Sequence, residues 1–141
     1  MNNSNPKVSI LMNCHNGEKY IKSSINSIFD QTYKNWELIF FDNCSTDNTQ
    51  SIIKSYCDDR IKYYYSHKFL TLGQARRTAE IYLSGEYIAI LDSDDLWEKE
   101  KLSIQVDLLN RNQDVSFIFS AVKYFNSNKH RNYFPYNKFI K

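Results

Sequence analysis

The sequence predicts an α/β fold: a mostly parallel sheet flanked by helices. Two observations carry that expectation. Short apolar, β-prone runs alternate along the chain with segments whose apolar residues recur at helical spacing. The β-prone runs are near-continuously apolar, as in strands covered on both faces. With 141 residues, 42% hydrophobic and 24% charged, the chain can bury a core as one domain over 1–141.

The elements follow in order. "KVSILM" reads as a first strand. "EKYIKSSINSIF" places Ile21, Ile25, Ile28 and Phe29 on one helical face. "WELIFF" is the second strand. "STDNTQSIIKSYC" follows as a helix, with Ser45 or Thr46 as its N-cap. "RIKYYYS" is the third strand; its Tyr63-Tyr64-Tyr65 triplet reads as β-prone chain rather than as a base-stacking platform. "LGQARRTAEIYLSG" is a helix with Leu72, Arg76, Ala79 and Leu83 along one stripe and Gly85 as its C′ residue. "EYIAIL" is the fourth strand, "KEKLSIQVDLLN" a helix and "VSFIFSAVKYF" a last strand. The polar, aromatic stretch 126–141 reads as a poorly ordered tail.

Composition narrows the function. A net charge of +2 with sixteen scattered acids gives no basic face for nucleic acid. Three cysteines, Cys14, Cys44 and Cys57, have no metal-binding spacing, and their odd number argues against a disulfide framework. They read as reduced thiols of a cytoplasmic protein. The opening residues hold only a five-residue apolar run, too short for a signal-peptide core or a membrane span.

The chemistry is expected beyond the carboxyl ends of the strands, where parallel α/β sheets bind ligands. Asn13, His15 and Asn16 follow the first strand, Asp42 the second, and Asp92, Asp94 and Asp95 the fourth. Three carboxylates in four residues oppose one another's ionisation, and a cation offsets that cost. If "LDSDD" continued the strand, Asp92 and Asp94 would share one side. Two carboxylates there suit Mn²⁺ or Mg²⁺, with sites left over for phosphate oxygens. The structural alternative is that the acids cap the next helix. Arg76, beside an apolar stripe, needs a partner, either Glu80 at i+4 or a nucleotide. His15 alone, in a loop after a strand, is a weak signal.

Taken together, these residues resemble the inverting glycosyltransferases of family 2, which have the Rossmann-like GT-A fold. "VSILMNCHNGEKYIKSSINSIFDQTYKNWELIFFDNCSTDNT" resembles that family's opening strand, first helix and "QTY…ELI…D…STD" signature. "LGQARRTAEIYLSGEYIAILDSDDLWEKEKL" resembles its "ARN…GEYI…LD.DD" segment. The resemblance implies transfer of a sugar from a nucleoside-diphosphate donor, commonly UDP-linked, to a saccharide or lipid-linked acceptor hydroxyl with inversion, using Mn²⁺ or Mg²⁺. It implies that Asp94 ligates the metal, that Asp92 contacts the ribose or the metal shell, and that Asp42, His15 and Arg76 contact the base. His15 stands where the family often has an aromatic ring, and Asp42-Asn43-Cys44 where it often has two acids and a glycine. The family's general base comes well after the acidic motif. Asp107 and Asp114 are too early, so the catalytic base is not found in this chain. The chain therefore reads as the donor-binding portion, truncated before the acceptor site, with weak transferase activity or none.

The resemblance further implies cell-surface polysaccharide or glycolipid synthesis, in the cytoplasm at the inner membrane face. Peripheral membrane association of the full enzyme and self-association through exposed apolar surface go with that reading. Two rivals fit less well. A nucleotidyltransferase would show a Gly-rich basic loop after the first strand, and "NCHNGEKY" does not. A haloacid-dehalogenase-type phosphatase needs an aspartate where Asn13 stands. A non-catalytic, metal-dependent nucleotide-binding fragment is the remaining alternative.

Overall fold

A computed structural model describes residues 5–126 and 129–132. Strand and helix alternate as β1 (Val8–Cys14), α1 (Ile21–Phe29), β2 (Trp36–Asp42), α2 (Thr49–Lys54), β3 (Ile61–Tyr65), α3 (Leu72–Glu80) and β4 (Tyr87–Ile90). The four strands are parallel in the order β3-β2-β1-β4. Helix α4 (Lys101–Arg111) follows. The described residues fall in two compact units, within Met1–Ser103 and Ile104–Lys141. The second holds an antiparallel hairpin of β5 (Lys123–Asn126) and β6 (Lys129–Asn132).

Central β1 and β2 are buried almost throughout. On one sheet face Leu11, Ile39 and Phe41 pack with Ala75 and Ala79 of α3. Ile10, Met12, Leu38 and Phe40 alternate to the other face and are fully buried. Right-handed crossovers put α1 and α2 there, with Ile21, Ile25, Ile28 and Ile53 fully buried. The edge strands differ from the expectation of two covered faces. β3 is half-buried, and β4 exposes Ile88 and Ile90.

Other expectations need correction. Helix α2 starts at Thr49 with Asn48 as N-cap, because Ser45 and Thr46 are bonded to the loop after β1. Helix α3 ends at Glu80, so Gly85 is no C′ residue. A Cβ on Gly85 would lie 2.6 Å from both the Lys7 carbonyl oxygen and the Ser9 nitrogen, so glycine there permits close approach to β1. Leu72 is exposed, and the buried stripe of α3 runs through Ala75 and Ala79. The last strand takes up only 123–125 of its expected span, since apolar chain becomes strand only where a ladder partner exists. The expected tail over 126–141 lies, apart from Asn126 and β6, outside the described residues. No described helix is long and apolar enough to cross a membrane.

Candidate functional site

The strand order reverses at β1. The chain leaves β1 through β2 and β3, then returns to β4 on the opposite side. A crevice opens beyond the carboxyl ends at such a switch point. Asn13 and His15 enter it from the end of β1, and Asp92, Asp94 and Asp95 from the loop after β4. Arg76 of α3 reaches the same place. Its Nη2 donates to Asp92 Oδ1 at 2.9 Å rather than pairing with Glu80. Arg76 Nε and both amide atoms of Asn13 are buried without a hydrogen-bond partner among the described residues. Unpaired groups of this kind are costly, and a ligand can satisfy them.

The acids do not continue β4. Pairing reaches Leu91, whose N–H donates to the Leu11 carbonyl, and the Asp95 N–H then closes a turn onto the Asp92 carbonyl. The turn is gripped from below by α1. The buried Ser24 hydroxyl lies 2.8 Å from the Ser93 carbonyl and 2.7 Å from that of Asp95. Ser27 Oγ accepts from the Trp97 N–H, and the buried Gln31 amide bonds the Glu98 carbonyl and the Leu102 N–H. Sequence reasoning missed this seam. Its signal was Ser24 and Ser27 interleaved with the apolar stripe Ile21, Ile25, Ile28.

Asp92 and Asp94 are exposed. The carboxylate of Asp94 makes no hydrogen bond or ion pair among the described residues. Asp95 is exposed as well, but partial desolvation of its carboxyl, then the charges of Asp94 and Asp92, push it above its ordinary value. Helix capping does not account for the three acids, since α4 begins only at Lys101. Exposed carboxylates without imidazole or thiolate partners are the donor chemistry of Mn²⁺ or Mg²⁺. No group of three His, Cys, Asp or Glu side chains converges among the described residues. A cation here would therefore take most of its ligands from water and substrate oxygens.

The other flank is aromatic. His15 Nδ1 lies 2.9 Å from the Asn43 carbonyl, which can only accept, so this nitrogen donates. The ring stands edge-on to Phe69, a second residue the sequence did not single out. Asp42 is fully buried. Its Oδ1 accepts from the Ser45 N–H at 2.8 Å and its Oδ2 from the Tyr63 hydroxyl at 2.7 Å. Burial and that bond push the Tyr63 hydroxyl well above its ordinary pKa. Asp107, considered and set aside as a base, is paired with Arg111 within α4.

Sheet order and switch-point crevice define a doubly wound α/β protein with its polar groups gathered where such folds hold ligands. The chain belongs to glycosyl transferase family 2, whose profile matches residues 9–140. It is 40% identical over 121 residues to the Escherichia coli UDP-Glc:alpha-D-GlcNAc-diphosphoundecaprenol beta-1,3-glucosyltransferase WfgD, covering 86% of this chain and 47% of that protein. The chain thus spans about half the length of that curated relative. TarS 1-349 of S. aureus, solved with UDP-GlcNAc, superposes with a TM-score of 0.73 at 29% identity over 76% of this chain and 32% of that one. The mannosyltransferase PcManGT of Pyrobaculum calidifontis, solved with GDP-Man and Mn²⁺, shares the fold, with a TM-score of 0.70 at 24% identity over 76% of this chain and 33% of that one.

Proposed function

We propose that this chain is the nucleotide-sugar-binding portion, over 1–141, of an inverting glycosyltransferase that uses a UDP-linked donor. The observation that carries the proposal is the acidic turn with Arg76 and the unpaired Asn13 amide at the switch point. Asp94, with Asp92 beside it, would hold Mn²⁺ or Mg²⁺; when bound, the ion supplies positive charge to the leaving diphosphate. Arg76 orients Asp92 and adds a cationic group near the phosphates. Asp95, closest to the α1 seam, keeps the turn in shape. Asn13 offers a donor and an acceptor to the nucleoside, His15 borders the base, and Asp42 holds the floor of that pocket through Ser45 and Tyr63.

The acceptor is a saccharide or lipid-linked hydroxyl, a class supported by the undecaprenol-linked acceptor in the E. coli relative's name. The reading places the work in the cytoplasm, at the inner membrane face, with the full enzyme peripherally associated. Asp107 is paired with Arg111, and the residues assigned above serve the donor and its leaving group rather than deprotonating that hydroxyl, so the reading is binding without turnover in this chain by itself.

Calorimetric titration of UDP, with and without Mn²⁺, tests the reading. The expected result is metal-dependent binding that weakens at least about tenfold in Asp94→Ala, with no sugar transfer by the wild-type chain. Binding unaffected by metal and by the substitution would refute the assignment of Asp94. Full transfer by this chain would refute the reading as a donor-binding portion.

A further inference from the structure

Phe69, in the loop after β3, is 59% exposed. It stands 4.8 Å from His15, centroid to centroid, at 71° between planes. Both rings are held by Asn43, itself only 6% exposed. The Asn43 N–H donates to the Cys14 carbonyl at 2.7 Å, tying the ends of β1 and β2 together. Its carbonyl accepts from His15 Nδ1. Its side-chain amide closes a two-point clamp on Leu70, donating from Nδ2 to the carbonyl at 2.8 Å and accepting at Oδ1 from the N–H at 2.9 Å. Leu70 directly follows Phe69, so the clamp fixes the backbone that carries the exposed ring.

We infer that Asn43 is a positioning residue whose side-chain amide sets Phe69 against His15, making an aromatic wall that selects the base of the nucleoside diphosphate. This rests on the nucleotide-sugar reading. The clamp requires an amide. An aspartate could still accept from the Leu70 N–H, but its second oxygen would face the Leu70 carbonyl, acceptor against acceptor. His15 would keep its place, because it bonds the backbone carbonyl of residue 43. Asn43→Asp therefore releases one ring of the wall and leaves the other.

The test combines ring-to-ring nuclear Overhauser contacts in the nucleotide-free protein with titrations of UDP and GDP in Mn²⁺. The proteins are wild type, Asn43→Asp, Phe69→Ala and the double variant. Asn43→Asp is expected to lose the His15–Phe69 contact. Each single variant is expected to bind UDP about tenfold more weakly, with a smaller UDP-over-GDP preference, and the double variant no more weakly than Phe69→Ala alone. A retained ring contact with unchanged affinity in Asn43→Asp, or losses that add in the double variant, would overturn the role of Asn43. Should Asn43→Asp fail to fold, unchanged UDP affinity in the exposed Phe69→Ala would overturn it equally. A wild-type chain that binds neither nucleotide overturns the nucleotide-sugar reading instead, and this inference with it.

Discussion

At the amino end of the sheet, Glu37 is 1% exposed and its carboxylate is surrounded by donors. Lys7 and Lys62 each reach Oε2 at 2.8 Å, and Ser9 and Ser84 supply Oε1. At the carboxyl end the arrangement is opposite. Among the described residues, Asp92 shares one arginine, Asp94 has no partner, and Asn13 has both amide atoms unused. One protein thus handles carboxylates in two ways. Where a charge serves the fold, the chain supplies every partner itself. Where partners are withheld, the charge is available to something outside the chain. The contrast divides variants into those that lower stability and those that lower nucleotide affinity.

The largest loss of stability belongs at the amino end. In Gly85→Ala the new Cβ meets backbone of β1 at 2.6 Å, which no rotamer can relieve. The β1–β4 pairing must shift, at a cost of about 3 kcal/mol or more. Thermal unfolding should show a large drop. A melting point within a few degrees of wild type, roughly the shift of 1 kcal/mol, would mean that β4 is not held by this approach.

Glu37→Gln comes next, at about 2 kcal/mol, since charged hydrogen bonds are lost while the half-exposed lysines regain water. Burial opposes ionisation of Glu37, but bonds from Lys62, Lys7, Ser9 and Ser84 outweigh it and hold the pKa well below the ordinary 4.5. The folded protein keeps this charge where the unfolded chain takes up a proton. The stabilisation is complete above pH 4.5 and fades as the pH falls beneath it. Denaturant titrations should therefore show the gap between wild type and Glu37→Gln closing on acidification, with UDP affinity near neutrality unchanged. A gap independent of pH would show that packing, not charge, is what the substitution removes.

Ser24→Ala sharpens the contrast because its hydroxyl serves the fold and the site together. It is expected to cost about 1 kcal/mol and to loosen the Ser93–Asp95 turn. Metal-dependent UDP binding should weaken about threefold, far less than in Asp94→Ala. Lower stability with unaltered UDP binding would mean that the turn keeps its shape without α1.

The legible parts of this molecule are those written in local pattern. The alternation of apolar runs and helical stripes located every element of the parallel sheet, and "LDSDD" after a strand pointed to the switch-point acids. What stayed hidden depends on distant partners. Ser45 and Thr46 have the chemistry of N-caps, but Asn16, far away in sequence, engages them first. Gly85 has the freedom of a C′ residue, but the neighbouring strand needs its missing side chain. The acids look like extended chain until Ser24 draws their carbonyls into a turn. The Asn43 clamp and Phe69 carry no local signature, because the contacts defining them join three separate loops.

Backbone conformation repeats the contrast on a smaller scale. The two described non-glycine residues with positive φ, Asn16 at 53° and Cys44 at 64°, both lie in loops at the carboxyl end. Asn tolerates this region; a cysteine does so at a cost of about 1–2 kcal/mol. Strain of this kind persists where surrounding contacts enforce it, and it gathers at functional sites. Cys44→Gly removes the penalty. It also frees the unfolded chain, which returns about 0.5–1 kcal/mol of the gain, and it gives up the Tyr65 hydroxyl contact to Cys44 Sγ at 3.9 Å. The net expectation is a stabilisation of about 0.5 kcal/mol, visible as a slightly higher denaturant midpoint with an unchanged slope. UDP affinity should stay within about twofold, because the Asn43 clamp one residue earlier does not use the cysteine side chain. A destabilised Cys44→Gly would show that the sulfur's contact with Tyr65 outweighs relief of the backbone. A large loss of affinity would show that the carboxyl-end loops need that strain to hold the wall in place.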